Sequence, residues 1–214
     1  MRDFPIFTTD FGVSSLVLRE IPYKKTAYIR IRDVQEDFFN EHLEECVKFC
    51  RMAGAERIFA AGHQKLESNP LYTAVWEMRT DAWVDRTKLR NLFPVTEQTV
   101  AQWRAIANER LFDVDNSATL EARDEKEILS SGGAYYIHDD GELLGIGWMK
   151  DTKLLLMAAV KAGVGELVMH SLMSLVEGSP ILLEVASTNA RAIRLYEKTG
   201  FIKTAEIASW YEVT

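Results

Sequence analysis

The chain has 214 residues, and 25 Lys and Arg against 32 Asp and Glu leave a formal charge of −7. That length permits one large domain or two small ones with a core that needs no staples, and 47% hydrophobic with 27% charged residues is the balance of a globular chain, not a disordered one. No run reaches the roughly 18 apolar residues of a membrane span, the opening Met1-Arg2-Asp3-Phe4-Pro5 lacks the apolar stretch of an export signal, and net acidity argues against nucleic acid as a partner.

The expected location is therefore cytoplasmic, without a membrane partner. Gly12–Leu18 and Thr26–Arg32 read as strands on either side of a turn around Pro22. The second alternates Tyr28, Ile29, Arg30, Ile31, Arg32, the period-2 pattern of a half-buried strand. A helix is expected from Phe38 to Ala53, stopped by Gly54. His42, Cys46 and Cys50 form a ladder on this helix at i, i+4 and i+8. Metal ligation would want a fourth ligand, which has no candidate. The same face carries Phe39, Leu43 and Val47, so the cysteines read as small core hydrophobes and no metal is expected. Arg57–Ala61 and Tyr72–Met78 are two further strands, with Asn69-Pro70 in the loop between them.

The polar stretch Arg79–Asp85 is the expected division, giving regions 1–80 and 81–214. Beyond it, Leu89–Pro94 reads as a strand. Thr96 is a candidate cap for a helix carrying Val100, Trp103, Ile106, Ala107 and Leu111 on one face. Thr119–Leu129 is a short charged helix. Ala134–His138 and Leu143–Met149 flank Asp139-Asp140-Gly141, a strong hairpin signal. Leu154–Val160 is apolar throughout, the mark of a central strand. Helices at Glu166–Val176 and Asn189–Lys198 enclose the strand Ile181–Ala186, and Phe201–Val213 supplies one or two closing strands. The fold class is α+β, a mixed and mostly antiparallel sheet flanked by helices.

The chemistry concentrates late in the chain. Gly163-Val164-Gly165 lies between an apolar strand and an amphipathic helix, where glycines let backbone amides approach a ligand and the helix start favours an anion. No Lys-Ser or Lys-Thr follows, so this is not a nucleotide-triphosphate loop. A third glycine is missing for a dinucleotide fingerprint.

Downstream, Leu183-Glu184-Val185, Asn189, Ala192, Leu195-Tyr196-Glu197-Lys198 and Gly200-Phe201 closely resemble the strand–helix signature of the GNAT superfamily of acetyl-CoA-dependent N-acetyltransferases. The resemblance covers about residues 82–214. It implies acetyl-CoA as cosubstrate and a primary amine of a small molecule or protein as acceptor. By the same resemblance Ala159, Val160, Ala162, Gly163, Val164, Gly165, Asn189, Ala192 and Tyr196 would bind the coenzyme. Tyr196 would protonate the departing thiolate, and Glu184 is the candidate base for the amine. Two departures stand out. Val160 replaces the basic or Gln residue that opens the family loop, and Lys161 is the nearby cation left to meet phosphates. A non-catalytic acyl-CoA-binding protein of the same fold is the alternative. Tyr136 and Trp148 are candidates to line the acceptor pocket or to pack the sheet. His138 reads as a solvated loop residue and His170 as structural. Residues 1–80 resemble a degenerate, partial GNAT unit that covers the acceptor pocket or forms a homodimer face; its acidic turn Asp33–Asp37 would repel pyrophosphate.

Overall fold

A computed structural model describes residues 5–81, 84–176 and 180–214. The chain forms two compact units, residues 1–74 with 207–214 and residues 75–206. The boundary between the units lies at 74/75, beside the expected division at 80/81, and residues 207–214 return to the first unit. Ala82 and Trp83, inside the expected linker, lie outside the described residues.

In the first unit, β1 (Ile6–Thr8), β2 (Gly12–Val17), β3 (Thr26–Val34) and β4 (Arg57–Ala61) lie side by side in that order. The first two contacts are antiparallel, while β3 and β4 are parallel and joined through helix α2 (Phe39–Met52). Strand β1 had no sequence signal: three residues are too few to show alternation. The turn around Pro22 is a short helix, α1 (Ile21–Lys24), with the proline in its first turn, where a missing N–H costs nothing. Helix α2 buries Phe39, Cys46, Val47 and Cys50 against Leu16, Ile29, Ile31 and Ile58. Burial pushes the Cys46 thiol up to about 11 and the Cys50 thiol to about 12, so both stay protonated hydrophobes. His42 sits in the same core, with Nδ1 2.8 Å from Thr9 Oγ1 and Nε2 2.8 Å from Ser14 Oγ. Among the described residues no three metal-binding side chains converge.

The second unit orders its strands as the end of β5 (Leu71–Thr80), then β10 (Ile181–Ala186), β9 (Lys153–Ala159), β8 (Glu142–Lys150), β7 (Ala134–Asp139) and β6 (Asn91–Pro94). Only β9 and β10 are parallel among these pairs, linked through helix α5 (Gly165–Met173). The β7–β8 turn places Asp140 at φ 47° and Gly141 at φ 83°, the left-handed pair that the Asp-Gly signal promised. Helix α3 runs Val100–Leu111, so Thr96 lies a turn before it and accepts the Val100 N–H through its carbonyl, not its hydroxyl. The expected helix at 119–129 is a 3-10 turn at Ala122–Asp124 followed by α4 (Glu125–Ser131). Helix α6 covers Ala190–Lys198, and the closing segment is one strand, β11 (Ile202–Glu212).

Two cores sandwich this sheet. On one face Val100, Trp103, Ala107 and Ile128 of α3 and α4 meet Tyr136, Ile146, Trp148 and Ala158. On the other, Val168, Met169, Leu172 and Tyr196 of α5 and α6 meet Ile137, Leu144, Leu183 and Val185. Glycines on β8 set how closely α5 approaches. A Cβ on Gly147 would lie 2.3 Å from Leu172 Cδ1. One on Gly145 would lie 2.6 Å from the Ala158 carbonyl and 2.7 Å from Val168 Cγ2. Val168 and Leu172, one helical turn apart, therefore seat directly on the strand backbone. Gly145→Ala is expected to lower unfolding free energy by about 1–3 kcal/mol through overpacking, measured by urea denaturation.

Candidate active site

Strands β9 and β10 pair only through Leu182 with Lys153 and Leu183 with Leu154; Leu182 N–H donates to the Thr152 carbonyl at 3.0 Å. Beyond that, Leu156–Ala159 stay bonded to β8 while Glu184–Ala186 stay bonded to β5. The two strands part. The cause is a bulge: Trp148 pairs with Leu156 and Met149 with Leu154, which leaves Leu155 without a partner on β8. An inserted residue bends its strand and breaks the ladder. It also shifts the side-chain alternation, so that Leu154 and Met157 reach the α5–α6 core while Leu156 and Ala158 reach the α3–α4 core. In the first unit the parallel pair β3–β4 stays in register from Thr26–Arg57 to Arg30–Ala61.

At the open end, the Val160 N–H still donates to the Leu144 carbonyl at 2.8 Å, and the chain then turns through Lys161–Val164. Gly163 has φ +84° and open space where a Cβ would go; its conformation, not crowding, requires glycine. Gly165 differs. A Cβ there would lie 3.0 Å from Leu195 Cδ2, so this glycine lets α5 begin against α6. The first α5 bond runs from Val168 N–H to the Val164 carbonyl, which leaves the amides of Gly165, Glu166 and Leu167 ahead of the helical ladder.

The charges around this turn differ from the sequence expectation. Lys161 is held by Glu142 on the surface. Lys88 (2.7 Å) and Lys198 instead converge on Glu166 in the first turn of α5. Lys198 and then Lys88 hold the Glu166 carboxyl below the usual carboxylate range. Nothing in the spacing of the sequence links Lys88 to Glu166; the segment between β5 and β6 brings it there. That segment crosses α5, with Asp85 N–H donating to His170 Nδ1 (3.3 Å) and Arg90 N–H to Ser171 Oγ (2.9 Å).

Asn189 caps α6, its Oδ1 accepting the Ala192 N–H at 3.1 Å. Ala192 and Tyr196 lie on the buried side of α6. The Tyr196 ring centre is 5.9 Å from that of Phe201, and burial pushes the phenol up to about 12. It keeps its proton at any working pH. Glu184 stands on the opposite face of β10, between buried Leu183 and Val185. Lys153 Nζ donates to its carboxylate, and Glu77 lies directly across on β5, its Oε1 accepting from Thr204 Oγ1 at 3.0 Å. Tyr196 and Glu184 thus belong to opposite faces of the sheet, and the parting of β9 from β10 opens between those faces.

The remaining candidates are structural. Tyr136 donates to the Thr99 carbonyl (2.7 Å) and Trp148 to Ser131 Oγ (2.9 Å), both within the α3–α4 core. His138 belongs to β7, edge-on to Phe93 at 5.3 Å, and not to a solvated loop.

No protein-family model and no curated protein matches the sequence. Solved structures do match. A functionally unknown conserved protein from Staphylococcus epidermidis aligns at TM-score 0.59 and 12% identity, over 99% of this chain and 94% of that one. An acetyltransferase of the GNAT family from Colwellia psychrerythraea aligns at 0.50 and 10%, over 98% and 84%. A protein from Pyrococcus horikoshii assigned as an acetyltransferase aligns at 0.58 and 13%, over 95% and 69%. The fold is that of the GNAT acetyltransferases. At these identities the likeness establishes the fold alone.

The segment over α5 meets a buried histidine, His170. Burial, then Lys88, holds His170 below its ordinary 6.5, against weaker opposition from Asp85 and Glu166. Burial lowers His42 as well. Both bind a proton more readily when unfolded, so their stabilisation is complete above pH 6.5 and is lost as pH falls through the folded values. Unfolding free energy should therefore drop on acidification from pH 7 to pH 5, and less steeply in His170→Gln. Urea denaturation across that range measures both slopes.

Proposed function

We propose that the protein is an N-acetyltransferase that moves the acetyl group of acetyl-CoA to a primary amine of a small molecule or a protein. The observation that carries this reading is the early parting of two parallel strands, with a glycine turn and unbonded helix amides at the open end. An extended pantetheine arm, itself an amide chain, pairs with strand edges as a strand would. Ala159 and Val160 edge the opening. Ala162, Gly163, Val164 and Gly165 offer amides to the pyrophosphate, as helix starts do. Asn189 and Ala192 border the arm, leading to Tyr196 near the sulfur. The acetyltransferases that share the fold agree with this reading.

The reaction follows from these positions. Glu184 takes a proton from the ammonium of the acceptor, the free amine attacks the thioester carbon, and a C–N bond forms as the C–S bond breaks. The Tyr196 hydroxyl stabilises the departing thiolate, and the second proton lost by the amine nitrogen ends on the sulfur, so coenzyme A leaves as the thiol. A phenol near 12 is a weaker acid than a thiol near 8.5, so Tyr196 serves first as hydrogen-bond donor to the growing charge. Direct transfer needs no covalent enzyme intermediate; the contribution of the protein is positioning and proton handling.

A second reading, coenzyme binding without turnover, rests on the Glu166 carboxylate at the helix start and on Lys161 being engaged by Glu142. Isothermal titration with acetyl-CoA, followed by thiol release across an amine panel, separates the two. Binding with no release on any amine would favour the second.

Gly163→Val is the clean probe of the turn, because its side chain meets open space while the left-handed conformation is lost. Acetyl-CoA affinity should fall sharply with cooperative unfolding retained; unchanged affinity would remove the turn from the site. Tyr196→Phe should lower kcat by about 100-fold, the low end for loss of one hydrogen-bond donor to developing charge, with coenzyme affinity unchanged. Glu184→Gln should depress kcat/KM most at neutral pH and recover partly at high pH, where the amine is already free. A loss uniform across pH would exclude the base role.

A further inference from the structure

Lys153 opens β9 two residues before the bulge at Leu155, about 7 Å along the strand at about 3.3 Å per residue. It pairs across the sheet with Leu182, which puts it on the same face as Glu184, two positions further along β10. Its ammonium donates to the Glu184 carboxylate. The two side chains are 41% and 43% exposed, so neither is shut away from an incoming group. An amine is thus already seated on the carboxylate proposed as base, beside the point where the strands begin to part. We infer that Lys153 is a self-acetylation site, the primary amine that bound acetyl-CoA meets before any external acceptor arrives.

This inference rests on the acetyl-CoA reading of the strand opening. The step balances without a further reactant. Glu184 takes one proton from the Lys153 ammonium, the neutral Nζ attacks the thioester carbonyl carbon, the C–N bond forms and the C–S bond breaks. Acetyl-lysine and coenzyme A thiol are the products, and one proton is released to solvent through Glu184. The product amide carries no charge. It can no longer form the ion pair, so the Glu184 carboxylate is freed for the ammonium of an external acceptor. The modification therefore primes the site as well as marking it.

Other lysines of the same unit provide the internal comparison. Lys150 lies by Glu127 (3.8 Å), Lys161 is held by Glu142 in the glycine turn, and Lys203 rests over the Trp76 ring at 3.9 Å. None of these faces Glu184 in the structure. The test is incubation of the full chain with acetyl-CoA, peptide mass spectrometry over time, and isothermal titration of the same preparation. Lys153 should be acetylated at least about 100-fold faster than Lys150, Lys161 and Lys203, the low end for a positioned base. The reaction should be first order and unchanged by diluting the protein. Glu184→Gln should bring Lys153 down to the rate of the others, and Lys153→Arg should leave only that background. Acetyl-CoA bound with Lys153 no faster than its neighbours overturns the inference and leaves the acetyl-CoA reading intact. No acetyl-CoA bound at all overturns both.

Discussion

One extra residue in one strand controls the candidate site. Parallel strands joined by a helix ordinarily zip along their length, as β3 and β4 do in the first unit. On β9 the unpaired Leu155 spends the register against β8, and β10 is left bonded to β5 instead. Backbone groups that would have satisfied each other then face an opening, which is tolerable only if water or a ligand completes them. The same residue rotates the alternation of β9, so both cores depend on it as much as the opening does. The contrast between the two parallel pairs shows that similar strand–helix–strand segments can carry a closed ladder or an open one.

The glycines divide into two jobs that the sequence alone does not separate. Gly163 needs its backbone conformation. Gly145, Gly147 and Gly165 need the absence of a side chain, because helix α5 packs directly on β8 and begins against Leu195 of α6. The approach of α5 to the sheet fixes where its first amides point. The amides at the helix start therefore inherit their placement from glycines on a neighbouring strand.

Much of the fold was legible because the local signals were strong. The Asp-Gly turn, the Gly54 stop after α2 and the alternation of β3 each depend on neighbouring residues only. What escaped depends on distant ones. The bulge at Leu155 is invisible in an apolar run where every residue suits either face. Lys88 reaches Glu166 across a separation that no spacing rule covers. Thr96 looked like a cap because threonine suits that role, but the N-cap of α3 is Thr99, three residues on, and its hydroxyl does not cap the helix. Within the candidate site, the positions of Tyr196, Asn189 and the glycine turn follow from helix and strand boundaries read correctly. The engagement of Glu184 by Lys153 does not, since the two meet only through strand register.

The strands β5 and β11 each serve both units. The outer edge of β4 is closed by Tyr211 against Ala60 and Glu212 against Phe59, while β10 is closed by Val75–Thr80 of β5. Until Tyr211 and Glu212 are in place, β4 presents an unsatisfied edge in the first unit. Such edges invite pairing with other chains, and contacts between distant residues form slowly. The first unit thus depends on residues distant in sequence, and a chain lacking residues 207–214 would present an open β4 edge.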